Sequence, residues 1–475
     1  MQHESTAHSG AMHSPPRAVP RVAGHPLLGS LLEFRRDRIG FLLRVAQEHG
    51  DIARARFGFL MNGVIISAPA LAREALVERD DAFVKGVGLS VFARPLLGEG
   101  LLTSERDFHR RQRRMMAPAF MPRRIAEYAD TIAACADRSV ERLAAAGSAD
   151  LSREMMQLTL EVAGRTLFHS DLSGDAGDVY GALTAAMEHV SAQISRVVPL
   201  PPSVPSPANL RARRDIKRLD EVIYRLIRQR RATGGDAGDL LSMLLLARDQ
   251  DDGGVMTDKQ VRDEAMTIML AAHETTANAL VWSLYLLAHN PDVRARLEDE
   301  VDRVLGGRSP DLAALAELPY TLQVFKEAMR LYPPAYIVVR RATRDVALGG
   351  HQVREGEAVI VNIVGMHRRA DHFQDPLRFR PERFAAAAEK AMDRHVYLPF
   401  GGGPRVCIGN HFALMEGHIA LARLVQELRF DLVPGRERAQ LEPLITLRPR
   451  GGMPMRISRR ERASAAPGAS RAPAT

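Results

Sequence analysis

Phe400-Gly401-Gly402-Gly403-Pro404-Arg405-Val406-Cys407-Ile408-Gly409 is the stretch on which the reading of this chain turns. It carries one cysteine on a glycine-rich loop, ahead of a segment at about Ile408–Leu428 whose apolar residues recur with helical spacing. A thiol at a helix start meets the positive end of the helix dipole and free backbone N–H groups, so it is expected to favour thiolate. The glycines allow positive φ and let the backbone approach a flat ligand closely. Arg405 is placed to meet an anionic group such as a carboxylate. The plainer reading is a buried cysteine packed as a small hydrophobe. A nucleophilic cysteine would call for a paired His and Asn in a protease signature, and none is recognisable. Cys135 is the only other cysteine, far away in sequence, which argues against zinc.

Working outward, the 475 residues are 46% hydrophobic and 26% charged, with a net charge of +8. That composition excludes disorder, collagen and coiled coil for the bulk of the chain. Length alone admits about three domains or one large fold. The charge is mild for the size and does not argue for nucleic acid. Two cysteines cannot make a disulfide framework, which points to a reducing compartment. No segment has the roughly 18–20 uncharged apolar residues of a membrane span. The N-terminus carries Pro15, Pro16 and Pro20 where a secretory signal would be apolar, so a cytoplasmic location is expected. Residues 1–22 and 459–475 read as a flexible arm and a disordered tail, with a single domain over 23–458 between them.

Helical patterns dominate that domain. They cover Asp37–His49, Arg106–Met116, Pro122–Ala145, Arg153–Leu167, Ala176–Arg196, Ala208–Arg231 and Tyr320–Leu331. Strands are expected at Ile52–Arg56 and Val64–Ser67 around a turn at Asn62-Gly63, and again at Ala358–Val364. Thr257-Asp-Lys-Gln260 is a capping box. It opens a pattern without Gly or Pro to about His289, a helix of roughly 48 Å at 1.5 Å per residue. A helix that long and apolar all round passes through the middle of the molecule. The fold class is mainly α with minor β-sheets. Pro199, Pro201, Pro202, Pro205 and Pro207 crowd one connection, read as a surface loop or a lid edge.

Three further clusters stand in order along the chain. His109-Arg110-Arg111-Gln112-Arg113-Arg114 could be a solvated basic face. Ala271-Ala272-His273-Glu274-Thr275-Thr276 puts polar groups in the middle of an apolar helix, where they need satisfaction or a function. Thr back-bonding is the bland account. A zinc-protease reading of His273-Glu274 fails because Ala277 stands where a second His is needed. Glu327-Ala-Met-Arg330, followed by Phe379-Arg380-Pro381-Glu382-Arg383-Phe384, could by itself be an exposed helix ion pair.

Taken together these motifs resemble the cytochrome P-450 family. Phe400 to Gly409 is similar to its haem signature Phe-x-x-Gly-x-Arg-x-Cys-x-Gly. The resemblance covers about residues 25–458. It implies haem b (iron protoporphyrin IX) under the long central helix, with Cys407 as the axial iron ligand; a Cys thiolate favours O–O cleavage. It implies that Glu274 and Thr275 are the acid and alcohol that deliver protons. Ala272 stands where Gly is more usual in that element. Ala271 borders the haem, Phe400, Arg405 and Gly409 belong to its loop, and His109, Arg113 and Arg340 hold the propionates. Glu327, Arg330 and Arg383 form a structural triad behind the loop.

The implied activity is that of a monooxygenase, inserting one oxygen atom from O2 into a hydrophobic small molecule such as a fatty acid or terpenoid. By resemblance its pocket draws on Phe83–Phe92, Thr267, Leu270, Ala271, Ala335–Val338 and Ile445-Thr446, a mostly apolar set. With no Gly-x-Gly-x-x-Gly between strand and helix, electrons are expected from a separate ferredoxin or flavodoxin with its reductase. Arg110, Arg111 and Arg114 are expected to form a positive patch steering that donor to a monomeric enzyme. The alternatives are a peroxide-driven peroxygenase, against which Glu274-Thr275 argues, and a non-catalytic haem sensor or electron-transfer protein.

Overall fold

The computed structural model describes residues 17–58, 61–169, 176–194, 196, 200–249 and 251–461. Its axis is the helix Asp258–His289, opened by Thr257. The Thr257 hydroxyl accepts the Gln260 N–H at 3.2 Å, and the Gln260 side chain accepts the Thr257 N–H at 2.8 Å. Side chains from Val261 to Leu287 are buried on nearly every face. The helix can be apolar all round because it is surrounded. Leu151–Leu167, Pro207–Thr233, Pro319–Leu331 and Asn410–Glu427 all pack against it. The Trp282 indole N–H donates to the Leu447 carbonyl at 3.1 Å, tying its far half to the C-terminal hairpin Leu441–Pro443/Leu447–Pro449.

The sheets are small. The largest orders Ile52–Phe57, Met61–Ile66, Ala358–Val361, Val338–Ala342 and Phe83–Lys85 as neighbours. Its pairings are antiparallel except between Met61–Ile66 and Ala358–Val361. The turn expected at Asn62-Gly63 is not there. Both residues lie within a strand, and Gly63 pairs with Ala55 on one side and Ala358 on the other. The chain reverses after Gly58, whose φ of +75° suits glycine; residues 59–60 lie outside the described residues.

Other boundaries moved for local reasons. The helix expected over Pro122–Ala145 is two, Pro122–Ala126 and Ala129–Ala146. The strand Ala358–Val361 ends at Asn362, whose side chain accepts the Gly365 N–H at 3.0 Å and caps a short helix Ile363–Met366. The arm read over residues 1–22 does not extend that far. Val19 is buried, Arg54 N–H donates to the Pro20 carbonyl at 2.7 Å and Val22 N–H donates to the Arg54 carbonyl at 2.9 Å. Proline composition does not prevent an extended segment from lending carbonyls to a sheet edge. Likewise Arg459 ends the strand Pro454–Arg459, and Arg460 lies 2.6 Å from Asp302. Residues 1–16, 462–475 and Pro199 lie outside the described residues; Pro207 opens a helix capped by Ser206.

The helix Pro319–Leu331 carries the triad. Glu327 and Arg330 side chains are both 0% exposed, with Arg330 Nε 2.6 Å and Nη2 2.8 Å from the two carboxylate oxygens. Arg383 Nε reaches Glu327 at 3.3 Å, and the Arg380 N–H donates to it at 3.0 Å. The remaining Arg330 N–H groups donate to the carbonyls of His367 and Pro376 at 2.7 and 2.8 Å. The exposed-pair reading is thereby excluded. Removing one partner leaves an uncompensated buried charge, at about 3–5 kcal/mol. Glu327→Ala should therefore lower the thermal unfolding midpoint markedly and reduce the yield of folded protein. A midpoint unchanged in a melting experiment would show that the pair is dispensable.

Candidate functional site

The glycine loop is built by backbone conformation. Gly401 and Gly403 have φ of +70° each, and a Cβ on Gly403 would lie 1.9 Å from the Leu76 carbonyl oxygen. The Cys407 N–H donates to the Phe400 carbonyl at 3.0 Å, folding the loop back on itself. Gly409 caps the helix Asn410–Glu427. Cys407 is exposed and Cys135 is buried. Yet burial pushes the Cys407 thiol up, against the Gly409 N–H and Arg113. The thiol is thus accessible yet closely surrounded by protein. The expected lean toward thiolate is corrected here for the free thiol. The helix starts three residues beyond the cysteine, and desolvation outweighs its N–H groups.

A second internal surface lies on the central helix. Ala271 is exposed and Ala272 and Thr275 half-exposed, on a helix otherwise shut in by protein. Ala271 and Thr275 are four residues apart and share a face. The Thr275 hydroxyl donates to the Ala271 carbonyl at 2.8 Å, and the helix runs unbroken past Ala272. Glu274 points elsewhere. Its carboxyl accepts the Thr446 hydroxyl at 2.5 Å, and burial raises its pKa while Thr446 and Arg448 lower it. The acid and the alcohol, adjacent in sequence, are not hydrogen-bonded to each other; successive side chains of a helix point about 100° apart.

Cations gather at one edge. His109 and Arg340 are buried. Burial, then Lys85, Arg405, Arg113 and Arg340, push the His109 imidazole down to about 3. Burial and Arg405 push Arg340 down to about 10. Arg340 Nε has no hydrogen-bond partner, and its Nη1 makes a 3.3 Å bond to the Val339 carbonyl. Arg405 does meet carboxylates: it pairs with Asp80 and lies 3.1 Å from Glu105. Arg113 Nη1 donates to the Val406 carbonyl at 2.8 Å, next to Cys407 in the chain. The residues therefore fit a flat macrocycle with acidic edge groups. A thiol is exposed on the glycine loop, a small-residue helix face offers a second surface, and a buried cation keeps an unmet donor.

Lys85 belongs to this cluster and was not read from the sequence. It is buried, and its ammonium donates to the carbonyls of Leu101 and Ser104 at 2.8 and 2.5 Å. Burial drops it to about 7. The available signal was a lysine inside the apolar Phe83-Val-Lys strand. His367 was also missed. Its ring takes a 3.2 Å contact with the Arg330 carbonyl at Nδ1 and accepts the Leu398 N–H at Nε2, 2.9 Å. Because Nε2 accepts, the proton sits on Nδ1. His367 thus joins the triad to the chain entering the cysteine loop.

The positive patch expected on the outer face of Arg106–Met116 is not formed. Arg110 pairs with Asp107 and Arg114 with Asp251, while Arg111 lies 3.2 Å from Asp249 and 3.0 Å from Asp252. The neutralising loop comes from over a hundred residues away, so the helix alone could not disclose it.

A sequence model of the cytochrome P-450 family matches residues 19–454. The chain is 38% identical to cyclooctatin synthase of Streptomyces melanosporofaciens, over 87% of this chain and 90% of that protein. It is 34% identical to cyclooctat-9-en-7-ol 5-monooxygenase of the same organism, over 86% and 89%. With pentalenene oxygenase of Streptomyces avermitilis the identity is 32%, over 86% and 90%.

Burial and Arg330 hold His367 down to about 3, against about 6.5 when unfolded. Its neutral form costs nothing at pH 7, and the unfolded chain gains a proton the fold refuses as pH falls below 6.5. Stability is therefore lost on acidification, by about 1.4 kcal/mol per pH unit for one such group. His367→Asn keeps an acceptor and a donor but does not titrate. Between pH 7 and 5 its urea unfolding free energy should fall by about 2 kcal/mol less than the parent's. Parallel pH curves would show that His367 is not held neutral.

Proposed function

The chain belongs to the cytochrome P-450 family, and from that premise we propose that it is a terpenoid-oxidising member. It is a haem-dependent monooxygenase, an oxidoreductase that uses O2. The cofactor would be haem b, with Cys407 supplying the thiolate to its iron, and the reaction the insertion of one oxygen atom into a terpene hydrocarbon or alcohol. The observation that carries it is Cys407, exposed on its glycine loop while Cys135 is buried. Relatives named for cyclooctatin, cyclooctat-9-en-7-ol and pentalenene support the substrate class. So do half-buried Leu89, Phe92, Ala335, Ile337, Val338 and Ile445, which suit an apolar ligand.

When bound, the haem supplies thiolate-supported activation of O2. The chain supplies the surroundings. Cys407 would hold the iron as its thiolate, which would offset the burial that favours the thiol. His109, Lys85, Arg340 and Arg405 would hold the edge carboxylates, Arg340 through the Nε that lacks a partner in the protein. The apolar wall would exclude water and orient a C–H bond of the substrate. The Thr275 hydroxyl has its hydrogen on the Ala271 carbonyl, which leaves its lone pairs as acceptors. Glu274 is the proton reservoir behind it. Two protons and two electrons accompany each O2, giving a hydroxylated product and water. The electrons come from a separate ferredoxin or flavodoxin with its reductase. Among the described residues no helix is long and apolar enough to cross a membrane.

The reduced, carbon-monoxide-bound protein should show the red-shifted Soret band of thiolate ligation. Cys407→Ser should abolish it, and Cys135→Ser should keep it. Retention in Cys407→Ser sinks the assignment. Thr275→Ala should still bind haem and substrate but divert a larger share of reducing equivalents to hydrogen peroxide. Product formed per electron consumed, equal in variant and parent, would remove Thr275 from proton delivery. Turnover on peroxide alone at the full donor-driven rate would favour a peroxygenase.

A further inference from the structure

Glu274, read above as the proton reservoir, is held by a residue far away in sequence. Thr446 sits at the turn of the C-terminal hairpin, where Leu444 N–H donates to its carbonyl at 3.0 Å. Its hydroxyl accepts the Asn278 amide at 3.1 Å and donates to the Glu274 carboxyl at 2.5 Å. A hydroxyl has one proton, so the bond from Asn278 commits that proton to the acid. Glu274 and Asn278 are one helical turn apart and grip the same oxygen. All three are nine-tenths buried or more, at 6%, 2% and 6% exposure. This arrangement has no structural need of an acid, since an amide would accept the same bond without the cost of desolvating a titratable group.

The hairpin leads outward from there. Arg448, two residues on from Thr446, lies in the strand Leu447–Pro449. Arg448 is 2.7 Å from Glu442 and 2.7 Å from Glu188 on the helix Ala176–Ile194. Glu188 is half-exposed, and Arg448 and Glu188 are the charged groups that act on Glu274 from the packed elements. Beside Thr446, Ile445 is half-buried and packs on the core. The rest of the hairpin is pinned: Tyr336 OH donates to the Leu444 carbonyl at 2.8 Å, Arg38 to the Pro443 carbonyl at 2.9 Å, and Leu447 N–H to the Pro334 carbonyl at 2.9 Å.

We propose that Thr446 is a positioning residue that turns Glu274 away from the Thr275 face and holds it at the hairpin, whose Arg448 pairs with Glu188. In each cycle Glu274 gives one proton toward Thr275 and regains one from solvent. This rests on the reading of Glu274 as the proton donor.

The bond from Thr446 favours the charged carboxylate, so its loss should keep Glu274 protonated to higher pH. The test uses the haem-loaded protein. The carbonyl stretch of protonated Glu274 is assigned by infrared difference against Glu274→Gln, then followed with pH without turnover. Thr446→Val, which keeps the shape and removes the hydroxyl, should hold that band at least a pH unit higher. Thr446→Ser should restore the parent curve. In donor-driven turnover, with the terpenoid that gives the largest spectral shift on binding, Thr446→Val should lower product per electron several-fold and Thr446→Ser should not. Should the valine variant fold poorly, Thr446→Ala serves with the same expectation. An unmoved band with parental coupling in the variant lacking the hydroxyl overturns the proposal. If Glu274→Gln lowers coupling while Thr446→Val does not, this inference alone fails. If Glu274→Gln keeps full coupling, Glu274 is not the donor and the proposal falls with that reading.

Discussion

Arg330 has no contact with solvent, and the cysteine side of the molecule hangs from it. Its guanidinium spends its donors on Glu327 and on three carbonyls of the segment 367–378. Its own carbonyl meets His367, whose other nitrogen fixes Leu398 two residues before Phe400. A fork of rigid geometry suits this task because it sets several chain segments at once. Such a pair is weak evidence for stability, since burying both charges is costly. What it gives is position: a loop rich in glycine cannot hold its own shape, because glycine loses most entropy on ordering. The constraint is imported from the helix behind it.

The opposite side of the loop is arranged by charge that does not balance locally. Lys85, His109, Arg340 and Arg405 converge with Asp80 and Glu105, and burial lowers Lys85, His109 and Arg340. Protein carboxylates answer Arg405. They leave Arg340 Nε unanswered in a place where an unmet donor is expensive. An anionic ligand at that edge converts a repulsive cluster into a satisfied one.

The sequence disclosed the parts whose chemistry is local. The Thr257 capping box, the helix to His289 and Cys407 between glycines all depend on neighbours within a few residues. Glu327 and Arg330 were legible because i, i+3 spacing survives folding, but their burial was not; that required the segments at 376–383 to close over them. Asn62-Gly63 misled because a turn dipeptide was overruled by two strand neighbours. Arg111 and Arg114 misled because charge on one helix says nothing of the aspartates a distant loop brings to it, whereas the partner of Arg110, Asp107, lies on the same helix. Lys85 and His367 were invisible for the same reason: each acts through backbone groups that any residue could supply.

The polar groups of the central helix divide between two faces, and the division matters more than their number. Ala271 and Thr275 form one stripe, small enough to leave space and bonded within the helix. Glu274 and Asn278 form another, four residues apart and turned to the hairpin, where they share the Thr446 hydroxyl. Had Glu274 occupied the Thr275 stripe, a carboxylate would border the space left for an apolar ligand, and the cost of burying it would fall on substrate binding. Placed a hundred degrees round the helix, it is sheltered by hydrogen bonds that do not involve the ligand at all. The acid and the small-residue stripe are thereby separated on a single helix, and the hairpin turn at Thr446 holds the acid's side.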